Sequence, residues 1–480
     1  MLPFIRFSIS MGLTALCTAL LASCASEPLP SPQWQESPLE VLAQHAGKGQ
    51  IRAGAGRVGL DPPFPSPLAG YFGASCFALR EARDPLYVRA VVIEQGDYRL
   101  ALVVADRVFI PPALREAVER DPAFERSRVQ AWILSVTHTH SAPGGHVDAW
   151  PAEAFGTGTY DPLLFQDLAT RVARAIEAAA SSLRPVQLEA GSATLGAGFL
   201  RDVAFNRRDP DDAADAGLDV LRLIAVAGEW ARHGQVTAVK SDPIVARWVR
   251  FAAHPTLLPF YLRRSSGDYP GALCRELDED GLTLFASGAS GDIAAGAPED
   301  TPVVGWEARV ERIARRLAGA VHRIEESLAL EDRELVVAHV AARVRLPPRE
   351  PWRVPFAGRS IASYYPETAL LQCLRLGQVL VVTFPGEMGH ELGERIRKGI
   401  QQATAARHVL LWTLTDQYLG YAFTKESIER GGKSQHLSAY GSELGPLLEN
   451  RMQDLAVKCW TAAEAGGRVS TTAKASTESS

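Results

Sequence analysis

Across residues 51–461, short runs of β-branched and aliphatic residues alternate with longer stretches whose apolar positions recur every three or four residues. Runs of the first kind read as buried strands: Leu100–Ala105, Ala131–Val136, Val220–Ala225, Trp248–Ala253, Leu282–Ala286, Leu335–Val344, Val379–Phe384 and Val409–Leu414. Stretches of the second kind predict amphipathic helices over Pro162–Ser181, Glu307–Leu328 and Met388–Ala406. Strands and helices mixed along one chain predict an α/β fold, with mixed sheets and flanking helices. No repeat and no shift in composition divides this body, so it is expected to form a single large domain.

The two ends differ from the body. Arg6 precedes an apolar run from Phe7 to Leu21 that is too short to stay in a bilayer as a spanning helix, so it reads as a secretory signal. The run closes on Leu21-Ala22-Ser23-Cys24, which resembles the lipobox of bacterial lipoproteins, whose Cys becomes the first mature residue and carries lipid. Residues 1–23 are therefore expected to be a signal peptide, and residues 24–50 a Pro/Ser-rich tether attached to the membrane through lipidated Cys24. A plain cleaved signal with a chance Cys is the alternative. Ala25 in place of Asp points to outer-membrane sorting, so the expected location is the bacterial cell envelope, facing the periplasm or the cell surface. Residues 462–480, rich in Ser, Thr and Ala, are expected to be disordered.

Composition narrows the class. With 480 residues, 46% hydrophobic, 22% charged and a net charge of −5, the chain is neither disordered nor a multi-span membrane protein. Lys+Arg 50 against Asp+Glu 55, with no basic block, gives no footprint for a nucleic-acid partner. The chain has no Walker loop, which argues against a nucleotide cofactor, and no GxSxG, which removes the α/β-hydrolase nucleophile. Cys76, Cys274, Cys373 and Cys459 show no CxxC spacing, so they are expected to be buried thiols or to include one structural bridge.

Chemistry gathers where strands end, the place at which ligands bind in α/β sheets. LALVVA runs into Asp106, AWILSV into Thr137-His138-Thr139-His140, VRFAA into His254, and VLVVTF into Pro385-Gly386-Glu387. In extended chain His138 and His140 share a face, and the Ala142-Pro143-Gly144-Gly145 turn beyond them lets a ligand approach the backbone. Taken singly, each residue has a plainer reading: a hydrogen-bonded His pair, a core His254, a first-turn Glu387, a packed Tyr421 and loop-forming Ser287 and Ser290. Two His and a carboxylate together make a common catalytic zinc set, which a phenolate oxygen can complete.

These blocks resemble the neutral, alkaline non-lysosomal ceramidases, zinc amidases that split ceramide into sphingosine and fatty acid. The resemblance runs through Thr137 to Gly145, Asn206-Arg207-Arg208, Phe251 to Thr256, Asp268-Tyr269-Pro270-Gly271, Gly291-Asp292, Pro385-Gly386-Glu387, Tyr421 and Tyr440-Gly441. It spans about Ile51 to Leu448 and implies a ceramidase-like catalytic domain over residues 51–461. It also implies zinc ligands at His138, His254, Glu387 and Tyr421, with His140 and Arg207 as catalytic groups beside the metal. The implied substrate is an N-acyl amide, a ceramide-like lipid. The chain departs from the family where Ala294-Ala295 stands in place of a Ser-Pro, and after Tyr421, where it reads Lys425-Glu426-Ser427. Two further readings follow: a zinc hydrolase of a different amide or ester, and a zinc-containing envelope lipoprotein without turnover.

Overall fold

The computed structural model describes residues 34–71, 77–208, 214–226, 243–297, 305–350, 364–431, 438–462 and 470–471. The expected signal, Cys24 and Cys76 lie outside these residues. Two sheets pack face to face and each is covered on its far side by helices, which gives a helix, sheet, sheet, helix layering.

Period-2 alternation builds this layering, because successive side chains of a strand point to opposite faces. In strand Tyr98–Ala105, Leu100, Leu102 and Val104 face the second sheet, while Ala101, Val103 and Ala105 pack under helix Pro162–Ser181. In strand Val379–Phe384, Val379 and Val381 face the first sheet, and Leu380, Val382 and Phe384 meet helices His390–Ala403 and Leu444–Thr461. Strands buried on both faces read as continuous apolar runs, which is why these segments were legible in the sequence.

One sheet has, among the described residues, the strand order Leu282–Ser287, Ile244–Phe251, Gly217–Ala225, Arg184–Thr194, Ile51–Gly59, Tyr87–Gln95, Tyr98–Ala105 and Ala131–Val136, with Ala329–Leu330 pairing beside Arg184–Thr194. The other runs His408–Thr413, Val379–Phe384, Thr368–Leu376, Leu335–Arg345, Glu40–Gly49 and Ser470–Thr471. Most pairings are antiparallel. Within these two sheets, among the described residues, three are parallel: Ile244–Phe251 with Leu282–Ser287, Tyr98–Ala105 with Ala131–Val136, and Val379–Phe384 with His408–Thr413. The carboxyl ends of strands from both sheets are stitched together across the seam. Ser135 Oγ donates to the Thr413 carbonyl at 3.2 Å, and Thr413 Oγ1 bonds the carbonyls of Ser287 at 3.0 Å and Gly288 at 2.8 Å.

The structure corrects two boundaries. Glu40–Gly49, expected as part of the tether, is a strand paired with Leu335–Arg345 from Glu40↔Arg343 to Gly49↔Leu335. Its sequence, EVLAQHAGKG, has no apolar alternation to announce it, and the long neighbouring strand supplies the pairing partner. Ser470 and Thr471, in the stretch expected to be disordered, pair with Gln44 and Ala43. Cys274, Cys373 and Cys459 are buried free thiols, so no bridge forms among them, and burial pushes the Cys274 thiol up to about 12. Among the described residues no helix is long and apolar enough to cross a membrane.

Candidate metal centre

Four segments that leave strand ends converge above the seam. His138 follows Ala131–Val136, His254 follows Ile244–Phe251, Glu387 follows Val379–Phe384, and Tyr421 lies on the loop after His408–Thr413. Sequence neighbours set the approach. His138 sits at φ 66°, in the left-handed region that a side chain with a Cβ seldom adopts, so the surrounding structure has to hold it there. The short strand Glu387–Met388 pairs in parallel with Tyr421–Ala422, which brings the carboxylate and the phenol onto adjacent backbone.

Backbone carbonyls fix the imidazole tautomers. His138 Nδ1 lies 2.5 Å from the Val108 carbonyl, and His254 Nδ1 lies 2.6 Å from that of Ser290. A carbonyl only accepts, so each Nδ1 carries a hydrogen, and His254, kept neutral by burial, presents a lone pair at Nε2. The Nε2 atoms lie close to other polar groups. His254 Nε2 is 2.8 Å from Glu387 Oε2, His138 Nε2 is 3.4 Å from the same oxygen, and His138 Nε2 is 3.4 Å from His140 Nε2. One nitrogen from each of His138, His140 and His254 falls within a sphere of 4.8 Å mutual separation. The structure thus puts His140 inside the same cluster, with its Nδ1 buried and without a hydrogen-bond partner. Buried electron pairs aimed at one another cost free energy unless a cation lies between them, so the donor set fits a divalent ion of the nitrogen- and oxygen-binding kind.

The electrostatics agree. Burial, reinforced by the Arg207 cation, pushes His254 down to about 4, and burial with the neighbouring imidazoles of His138 and His254 lowers His140 well below its usual value. Burial works to raise Glu387, and the His138 and His254 imidazoles, when they carry a proton, outweigh it and hold the carboxyl well below the usual carboxylate range. Tyr421 is raised by burial and by Glu387, with Arg207 opposing, so without a cation it stays a phenol.

Arg207 spans the cluster. Its Nη2 donates to the Gly291 carbonyl at 2.6 Å and reaches Tyr421 Oη at 3.3 Å and His254 Nε2 at 3.3 Å. Ala294 forms a bridge with His254 and pairs with Phe205. Two other residues singled out in the sequence stay outside. Asp106 pairs with buried Arg89 at 3.2 Å, and Tyr440 donates to the Pro366 carbonyl at 2.6 Å within the core.

Tyr418 had no assigned role in the sequence reading, yet its hydroxyl donates to Glu387 Oε1 at 2.6 Å. Tyr71 was also missed: its ring lies 4.9 Å from that of His140. A second Tyr three residues before Tyr421 was the available sign for Tyr418; nothing in sequence pointed to Tyr71.

No protein-family model matches the chain. Among solved structures, the neutral ceramidase of Pseudomonas aeruginosa superposes with a TM-score of 0.69 at 19% identity, over 90% of this chain and 77% of that one. A ceramidase complexed with C2 gives a TM-score of 0.69 at 18% identity, over 89% and 77%. The protein therefore has the fold of the neutral ceramidases, over nearly its whole length.

Proposed function

We propose that this protein is a zinc-dependent amidohydrolase that cleaves the N-acyl bond of a ceramide-like lipid to give a fatty acid and an amine. The observation that carries this reading is the gathering of one nitrogen each from His138, His140 and His254 within 4.8 Å of one another in a buried site, with His138 and His254 beside the Glu387 carboxylate. His138, His254, Glu387 and Tyr421 would hold the ion. When bound, zinc supplies a Lewis acid for the amide carbonyl and acidifies water.

The chain's own groups supply the rest. Tyr418 ties down one carboxylate oxygen of Glu387 and leaves the other facing the imidazoles. Arg207, fixed by the Gly291 carbonyl, offers its guanidinium to the oxygen on which negative charge grows. His140, whose Nε2 faces the cluster 3.4 Å from His138 Nε2, is the imidazole placed to take a proton from water and return it to the leaving amine. On the same reading residues 1–23 direct export and Cys24 anchors the domain beside membrane lipid.

The test is elemental analysis of protein lacking residues 1–24, with fatty-acid release from a short-chain fluorescent ceramide measured with and without chelator. Zinc near one per chain with chelator-sensitive release supports the proposal. Zinc without release keeps the metal and discards the lipid. Ala294 favours a second reading, hydrolysis of a different amide or ester, since it removes a hydroxyl beside His254. Ala294→Ser that raises turnover of ceramide would support that second reading, and unchanged turnover would count against it.

A further inference from the structure

Three segments that carry site residues lead away from three strands, and one side chain outside the cluster ties them together. Asp416 Oδ1 accepts from the Leu134 amide at 3.1 Å, in the strand that delivers His138, and from Arg115 Nη2 at 2.6 Å. Its Oδ2 accepts from Gln372 Nε2 at 2.6 Å, and the Gln372 amide donates to Thr383 Oγ1 at 2.8 Å in the strand that delivers Glu387. Asp416 itself lies on the loop that delivers Tyr418 and Tyr421, and its amide donates to the Leu134 carbonyl at 2.7 Å. The carboxylate is fully buried, so these donors replace water entirely.

The loop needs such a restraint. Leu414 and Asp416 both sit at positive φ, 58° and 60°, a conformation that persists only where neighbours over-determine it. From that fixed point the loop wraps the Glu387 segment: Leu414 N–H bonds the Gly386 carbonyl at 3.1 Å, Leu419 N–H that of Pro385 at 2.8 Å, and Glu387 N–H that of Gly420 at 2.9 Å.

We infer that Asp416 is a positioning residue: through Leu134, Gln372 and Arg115 it holds the loop of Tyr418 and Tyr421 in register with His138 and Glu387. Its effect on zinc rests on the function proposed above; its effect on the loop does not. Asp416→Asn is the variant of choice, because Asn tolerates positive φ as well as Asp does, which leaves charge and donor pairing as the variable. In the zinc-free protein, hydrogen exchange at the Leu419 and Glu387 amides is expected to quicken about tenfold, with amides of the remote strand Tyr87–Gln95 unchanged. Zinc affinity, read by competition with a chromophoric chelator, is expected to weaken about tenfold.

Unchanged exchange at both amides overturns the inference, as does exchange that quickens equally across both sheets. Faster local exchange with wild-type zinc affinity overturns the claim that the restraint serves the site. Should Asp416→Asn fail to fold, Arg115→Met removes one of the three side-chain bonds at its solvent-facing end, and the same readouts are expected to move about threefold. A wild-type protein that takes up no zinc removes the proposed function, and the exchange measurement alone then decides the inference.

Discussion

His254 Nε2 and Glu387 Oε2 stand 2.8 Å apart, although one residue leaves a strand of the larger sheet and the other a strand of the smaller. With His254 Nδ1 committed to the Ser290 carbonyl, this is a lone pair facing a carboxylate, an arrangement that calls for a positive ion. His138→Ala and Glu387→Ala are each expected to lose zinc and hydrolysis together, with metal content per chain as the check. Full zinc occupancy with activity in His138→Ala would end the assignment.

Tyr418 donates its hydroxyl to the second oxygen of Glu387, and removing a hydrogen bond to a charged group costs about 1.5–3 kcal/mol. Tyr418→Phe is therefore expected to lower kcat about tenfold or more, with KM little changed, since the ring still fills its place. Steady-state kinetics at saturating zinc measure the split; a change confined to KM would place Tyr418 against substrate instead.

Gly70 is at φ 106°, and a Cβ there would lie 2.7 Å from His140 Nδ1 and 3.1 Å from Val108 Cγ2. Gly70→Ala is expected to displace the His140 ring, cutting activity sharply and destabilising the fold by about 1–2 kcal/mol. Gly196→Ala is the control: it has ordinary φ and open space, and should keep both properties. Equal behaviour of the two variants would show that His140 does not need the space Gly70 leaves.

His339 lies between the sheets, its Nδ1 2.8 Å from Tyr98 Oη and its Nε2 2.9 Å from Gln372 Oε1, and burial pushes it down to about 4. An unfolded histidine titrates near 6.5, so between the two values the unfolded chain takes up a proton that the folded chain refuses. Stability from this group is complete above pH 6.5 and declines as pH falls toward 4, by roughly 3 kcal/mol. Urea unfolding of the wild type and of His339→Gln should give a difference that shrinks across that window; parallel profiles would rule the group out.

How far the sequence could be read depended on where its signals were stored. Ala131–Val136, Val379–Phe384 and Pro162–Ser181 have the bounds their patterns predicted, because a buried strand or an amphipathic helix writes its environment into its own residues. Glu40–Gly49 does not, since its partner strand, rather than its own hydrophobicity, makes it a strand. The same division holds at the site. His138, His140, His254 and Glu387 stand at strand ends and were visible there. The Tyr418 and Asp416 contacts join segments far apart in the chain, and no local pattern encodes them. The helix Leu444–Thr461 also went unpredicted; it packs mostly apolar residues against the smaller sheet.

The seam between the sheets has a consequence for how the protein matures. His138 and His254 belong to one sheet and Glu387 to the other, so neither layer alone carries a complete set of donors. An ion held there would act as a rivet, resisting separation of the layers in proportion to its affinity. Loading would wait until both layers had docked, so a newly folded chain would gain catalytic competence and mechanical closure in the same event, and a chelator would withdraw both.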